Sequence, residues 1–178
     1  GKDEKVVATI GKQAILEAMR VDSGQYLFSL ETAFQNVVTA IDPRTGAKTI
    51  DPALIPSEIN SEILPCPDSA GVRNWQPTSL NPDSGVLFTP FRESCMKMRL
   101  NMLYGDTPHG NFGQKPVPTS NSDGNFGGLR AVDITNRKVL WERRQRLDVS
   151  TGMLATAGDL VFYGSRDRVF SAHDQSSG

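Results

Sequence analysis

The chain has 178 residues, 38% of them hydrophobic and 22% charged, with a formal net charge of −1. That is enough chain to bury a core, and with no basic block it gives no electrostatic support to a nucleic-acid or anionic-membrane partner. No stretch approaches the roughly 20 apolar residues that cross a bilayer as a helix, so no membrane span is expected.

The 16 glycines and 11 prolines punctuate the sequence too often for long helices. Gly1 to Lys5 is charged and leads straight into the apolar run Val6 to Ile10, which reads as a chain entered within a fold. The lack of a leader therefore says little about compartment. Lys12 to Met19 has helical propensity, but its flanks are β-like and glycine-bounded, so it reads as a strand. Further β-like runs follow at Tyr26 to Phe28, Asn36 to Ile41 and Gly85 to Thr89. Leu160 to Tyr163 and Val169 to Ala172 form a predicted hairpin around Gly164 to Arg168.

One turn pattern recurs. It appears at Ala40 to Gly46, Asn81 to Gly85, Ala131 to Lys138 and Ala172 to Gly178, with a degenerate copy at Ala18 to Gly24. A short polar side chain in the Asp position can accept from the turn's own backbone, and the glycine that follows takes a positive φ without strain. In the third copy Arg137 occupies the glycine position, so Asn136 is expected to supply the left-handed residue. Ala131 and Ala172 stand 41 positions apart, and Gly46 and Gly85 stand 39 apart. Steps of roughly 40 to 50 residues suit one blade of a β-propeller. Trp141, ten residues after Ala131, is placed to dock one blade on the next. The expected architecture is all-β: antiparallel four-stranded blades, one partial propeller domain over 1–178 with about three to four blades, and no separate second domain. Closed propellers usually hold about four to eight blades, so the sequence reads as a piece.

The two cysteines, Cys66 and Cys95, allow one bridge or two buried thiols. They are too few for a structural zinc site, and His109 and His173 lack ligand-like spacing.

Ala131-x-Asp133-x-x-Asn136-x-Lys138-x-x-Trp141 resembles the tryptophan-docking repeat of the quinoprotein dehydrogenases that use pyrroloquinoline quinone (PQQ). Met153 to Gly164 resembles a late-propeller stretch of the alcohol and methanol dehydrogenases in that family, and Asn74-Trp75-Gln76-Pro77 with Asn81-Pro82-x-x-Gly85 is similar to another family block. The resemblance runs from about Val6 to Gly178. It implies part of an eight-bladed propeller holding PQQ on its axis with a Ca²⁺ or lanthanide ion. It also implies oxidation of a primary alcohol by hydride transfer to the quinone, with cytochrome c as an acceptor and the rest of the propeller as structural partner.

Three features carry over. Lys12 matches a basic residue that contacts the quinone oxygens, where a cation stabilises the charge that builds as hydride arrives. Asn74, with Trp75 beside it, matches a cofactor-binding asparagine whose amide can both donate and accept. Cys66 and Cys95 match a disulfide pair of the methanol dehydrogenase branch, which implies an oxidising compartment, the periplasm. Ser150 departs from the pattern, standing where the family often has a tryptophan of the cofactor site. The family's catalytic aspartate and metal ligands would fall before Gly1, so no catalytic base and no metal ligand is assigned, and Asp3, Asp42, Asp133 and Asp174 read as structural. The fragment alone is expected to be inactive. The competing reading is a quinoprotein-like propeller without catalysis that serves as a binding or assembly scaffold.

Overall fold

The computed structural model describes residues 5–103 and 110–178, for 102, 103 and 110–113 the backbone alone. His109 and Asp3 lie outside the described residues. The described chain is almost entirely strand and turn, with one turn of 3-10 helix at Pro52–Leu54.

The first sheet is β1 (Val6–Ile10), β2 (Ile15–Arg20) and β3 (Tyr26–Glu31), paired in sequence. A two-stranded ribbon follows, β4 (Val38–Ile41) with β5 (Lys48–Ile50). The central sheet is four-stranded and antiparallel, ordered β12-β11-β8-β7: β7 is Ser79–Asn81, β8 Val86–Arg92, β11 Gly127–Asp133 and β12 Lys138–Gln145. Between β8 and β11 the chain leaves to form β9 (Ser94–Leu103) and β10 (Gly110–Pro118), which make a sheet with the earlier strand β6 (Glu62–Ile63). The last sheet is β13 (Leu154–Ala155), β14 (Leu160–Gly164) and β15 (Phe170–Asp174).

Burial explains why β8 and β11 lack the alternation of a half-exposed strand. Every residue of β11 and all but the last of β8 are buried. Val86, Phe88, Leu129 and Ala131 pack on one side against Val149, Met153, Val161 and Tyr163 of the last sheet and its lead-in. Leu87 and Val132 pack on the other side against Ile10 and Leu16 of the first. Successive side chains of a strand point to opposite faces, so a sheet covered on both faces must be apolar at consecutive positions. Three sheets stacked face to face are the expected blade packing.

The recurring turn does what its chemistry demands. Oδ1 of Asp42 accepts from the N–H groups of Arg44 and Thr45, at 2.8 and 3.0 Å. Asn81 does the same for Asp83 and Ser84, and Asp174 for Ser176 and Ser177. Gly46, Gly85 and Gly178 close these turns at positive φ. In the third copy the expectation about Asn136 is corrected. Asn136 spends its N–H and its amide on the Asp133 carboxylate, and Arg137 takes the left-handed conformation at φ 56°. Its guanidinium lies 4.4 Å from the Phe28 ring centre, which offsets part of that strain. Two strand boundaries also differ: the second strand starts at Ile15 after a turn at Lys12, and the fourth starts at Val38, because Gln35 caps the N–H groups of Val37 and Val38. Trp141 docks as expected, its Nε1 donating to Gln175 O at 3.0 Å in the next sheet's turn, with its ring 5.9 Å from Phe88.

These bonds titrate. The hydroxyls and N–H groups of Ser176 and Ser177 hold the Asp174 carboxyl down to about 2, from an ordinary 3.8. A depressed carboxylate stabilises the fold above its ordinary value and loses that contribution as pH falls through the folded one. Asp174→Asn keeps an acceptor, as Asn81 does in its own copy, so the variant is expected to fold with a flatter acid limb. Melting temperature measured from pH 5 to about pH 2 checks this, and equal slopes in the two proteins would refute it.

Candidate functional site

Loop 66–76 is laced between the Lys12 turn and the end of β8. Asp68 Oδ1 accepts from the N–H groups of Ala70 and Gly71, turning the chain. Gly71 sits at φ 78°, and a Cβ there would lie 2.4 Å from Lys12 Cβ, so only glycine fits. Val72 N–H then donates to Lys12 O, and Arg92 N–H donates to Val72 O. Arg73 reaches back with Nη1 to Ile10 O at 2.6 Å and with Nε to Gln76 O at 2.9 Å. Beneath the loop, buried Ala14, Val72 and Phe91 form a small core. Gly71→Ala is expected to cost about 1–3 kcal/mol by overpacking and strain, read by urea denaturation; a cost near zero would show that the Lys12 turn gives way freely.

The loop ends in a cleft of about 130 Å³ lined by Asn74, Trp75, Gln76, Arg92, Ser150 and Arg166, among others. Asn74 is exposed and Trp75 is 68% exposed, an unusual position for an indole without a ligand or partner. Lys12 belongs to the same assembly but is not a wall of the cleft; its Nζ donates to Ser69 O at 2.9 Å, leaving two of its three N–H donors. The structure thus brings Asn74 and Trp75 together with Ser150 and pins the Lys12 turn behind their loop.

Sequence reasoning missed Arg92, Arg166, Asp148 and Asp68. Arg92 is held by Asp68 Oδ2 at 2.9 Å and Ser94 Oγ at 3.1 Å, and Arg166 stands 3.3 Å from Asp148. No local motif marks them, because the partners are contributed by separate strands and loops. A larger cavity, about 930 Å³, lies between the first and central sheets. Its walls are mainly apolar side chains such as Val6, Phe28, Leu80 and Leu87, so it offers packing surface where the smaller cleft offers chemistry.

Cys66 and Cys95 form a disulfide with Cα atoms 4.2 Å apart. It ties the loop's start to β9, where Asp68 N–H donates to Ser94 O and Met96 N–H to Pro65 O. Behind Phe91 lies a charge network. Arg130 stacks 4.0 Å over the Phe91 ring and donates through Nε and Nη2 to Glu142 Oε2, while its Nη2 stands 3.6 Å from Glu93. Arg144 pairs with both Glu93 and Glu142. Burial pushes the Glu93 carboxyl up against the pull of Arg144 and Arg130, whereas hydrogen bonds from Arg144 and Arg130 outweigh burial at Glu142 and hold it down. Among the described residues no group of three His, Cys, Asp or Glu is arranged to hold a metal ion, and no helix is long and apolar enough to cross a membrane.

No family model matches the chain. Among curated proteins it is 29% identical over 155 residues to a lanthanide-dependent methanol dehydrogenase of Methylorubrum extorquens, covering 80% of this chain and 26% of that protein. It is 31% identical over 148 residues to a quinoprotein alcohol dehydrogenase of Pseudomonas putida, covering 78% of this chain and 23% of that one. Lupanine 17-hydroxylase [cytochrome c] of a Pseudomonas species is 27% identical over the whole chain. Among solved structures, a europium-containing methanol dehydrogenase superposes with a TM-score of 0.84 at 21% identity, over 98% of this chain and 31% of that one. The quinohemoprotein alcohol dehydrogenase of Comamonas testosteroni also gives 0.84, at 23% identity, over 100% and 28%. The chain spans about a quarter of the length of the relatives it matches.

Proposed function

We propose that this chain, which is homologous to part of the quinoprotein alcohol and methanol dehydrogenases, supplies stacked propeller blades and one wall of the PQQ site in an enzyme that oxidises a primary alcohol. The observation that carries the reading is the cleft itself, where Asn74, Trp75 and two guanidinium groups converge beside the pinned Lys12 turn.

These residues fit the group. PQQ is a flat ortho-quinone with three carboxylates, and the cleft offers cations, amide donors and an exposed indole face. When bound, the quinone accepts hydride while a Ca²⁺ or lanthanide ion polarises it. The chain's own residues bind and orient. Lys12 keeps two N–H donors for quinone oxygens, where a fixed cation stabilises developing negative charge. Asn74 offers a donor and an acceptor to the quinone edge. Trp75 offers a ring face for contact with a planar group.

The remaining partners follow from the same reading. The last sheet turns Leu154, Phe162 and Phe170 away from the core, with Leu154 59% and Phe170 74% exposed. Such a face suits a further blade of the same propeller. The whole protein then works in the periplasm, where the Cys66–Cys95 bridge persists, and passes electrons to a cytochrome c. A relative that keeps the fold but has lost PQQ has Ser150 in its favour, a small side chain in the cleft where the family often has an aromatic one.

Titrating PQQ with Ca²⁺ or a lanthanide into the full-length polypeptide decides between them. Quinone absorbance on the protein and dye reduction driven by ethanol are expected. Absence of any binding would defeat the enzyme reading and leave a propeller without cofactor.

A further inference from the structure

We propose that Arg92 is a further cofactor-binding residue, taking a carboxylate of the quinone, and that Asp68 is the positioning residue that aims it. This rests on the cofactor reading above. Arg92 lines the cleft together with Asn74, Trp75, Ser150 and Arg166. Its Nη2 pairs with Asp68 Oδ2 at 2.9 Å and its Nε donates to Ser94 Oγ at 3.1 Å. A guanidinium carries five N–H donors in a rigid fork, so the Nη1 pair remains for a ligand. With the side chain 29% exposed, the group is held from behind and still open to the cleft.

Asp68 is built to hold it. Its side chain is 3% exposed, and both oxygens are committed: Oδ2 to Arg92 and to Ser94 Oγ at 2.7 Å, and Oδ1 to the N–H groups of Ala70 and Gly71. One carboxylate thus fixes the direction of Arg92 and the turn that backs Lys12. A surface arginine pays rotamer entropy on binding an anion; one already clamped at two donors has lost most of that freedom beforehand. Arg166 also lines the cleft, but its ion pair with Asp148 spans 3.3 Å and its side chain is 62% exposed, so it is the weaker candidate.

The test measures binding to the full-length polypeptide by equilibrium dialysis, using PQQ and its uncharged trimethyl ester as probes. Arg92→Gln is expected to bind PQQ roughly ten- to a hundredfold more weakly, the usual range for a lost charge-assisted contact. Affinity for the trimethyl ester is expected to be unchanged, which a merely structural role would not produce. Arg92→Lys should recover part of the loss. Because Arg92→Gln leaves the buried Asp68 unpaired, the double variant Asp68→Asn/Arg92→Gln, with a neutral amide pair, serves as the foldable control. Asp68→Asn alone should weaken PQQ binding, and the two losses should not add, since one acts through the other. Unchanged PQQ affinity in Arg92→Gln or in the double variant would overturn the inference while leaving the cofactor reading intact. Equal losses for PQQ and its ester would overturn it too. No PQQ binding by the unsubstituted polypeptide would bring down the cofactor reading, and this inference with it.

Discussion

Arg130→Met is expected to destabilise the fold by about 3–5 kcal/mol, the range for removing one member of a buried ion pair. The cost comes from what is left behind. Glu93 and Arg130 side chains are each 3% exposed, and Arg130 is the cation that ties Glu93, Glu142 and the Phe91 ring together. Without it, Glu93 keeps only Arg144, whose Nη2 donates to Oε1 at 3.2 Å and whose Nη1 lies 3.1 Å from Oε2 but out of line for a hydrogen bond. The sign of the pH dependence follows. Burial already raises the Glu93 carboxyl, and Arg130 is one of the charges opposing that rise. A group with a raised folded pKa contributes its stability at pH below its unfolded value and loses it as pH rises through the folded one. The penalty of Arg130→Met should therefore be smaller near pH 4 than near pH 7. Arg130→Met/Glu93→Gln should recover much of the loss, because neither residue then buries an uncompensated charge. Urea denaturation at the two pH values reads all three. A loss below about 1 kcal/mol at neutral pH would mean the network is a solvated surface pair in effect.

The network also explains why the cleft wall has its shape. Phe91, Arg92 and Glu93 are consecutive, and each is held from a different direction: Phe91 by Ala14 and Val72 beneath and Arg130 above, Arg92 by Asp68, Glu93 by Arg144. The segment leaves the central sheet and enters β9 at Ser94 with little freedom. Such fixing suits the proposed role of Arg92, because small displacements of a binding group are costly.

What was legible in the sequence was mainly local. The Asp42, Asn81, Asp133 and Asp174 turns are set by bonds between a side chain and N–H groups two or three positions on, so their chemistry is written in a single short stretch. Trp141 was readable because it follows its own turn copy by ten residues, in the pattern that resembles the family's tryptophan-docking repeat. Arg137 was misread because the glycine-like position depends on which side chain the turn's Asp recruits, and Asn136 is recruited twice. Asn74 and the cysteine pair came from family spacing, which the residues alone would not have supplied. The Asp68–Arg92 and Arg130–Glu93 pairs were invisible for a physical reason: their members stand 24 and 37 positions apart, on elements that meet only once the sheets have formed. Nothing in an isolated arginine distinguishes a clamped guanidinium from a solvated one.

Replacing both cysteines, Cys66→Ser with Cys95→Ser, is expected to cost about 3–4 kcal/mol, since a bridge between residues that far apart removes that much loop entropy from the unfolded chain. The two are 29 positions apart and both are 3% exposed. Their burial also predicts that thiol-specific labelling after mild reductant stays slow until the fold opens, because exchange needs an accessible sulfur. The local effect should reach the cleft. Cys66 N–H donates to Asn36 Oδ1 at 2.7 Å and Asn36 N–H to Cys66 O, so the bridge closes one end of a hydrogen-bonded strip that runs through Asp68 and Gly71 to Val72, two residues before Asn74. Losing the covalent tie leaves those bonds to hold the loop alone. Urea denaturation of the double variant in a Trp141→Phe background, which leaves Trp75 as the one indole, followed by far-ultraviolet circular dichroism for the sheets and indole fluorescence for the loop, separates the outcomes. A fluorescence transition that precedes the loss of strand signal is the expected result. Coincident transitions with a stability loss under about 1 kcal/mol would mean the hydrogen bonds between the loop and β9 suffice without the bridge.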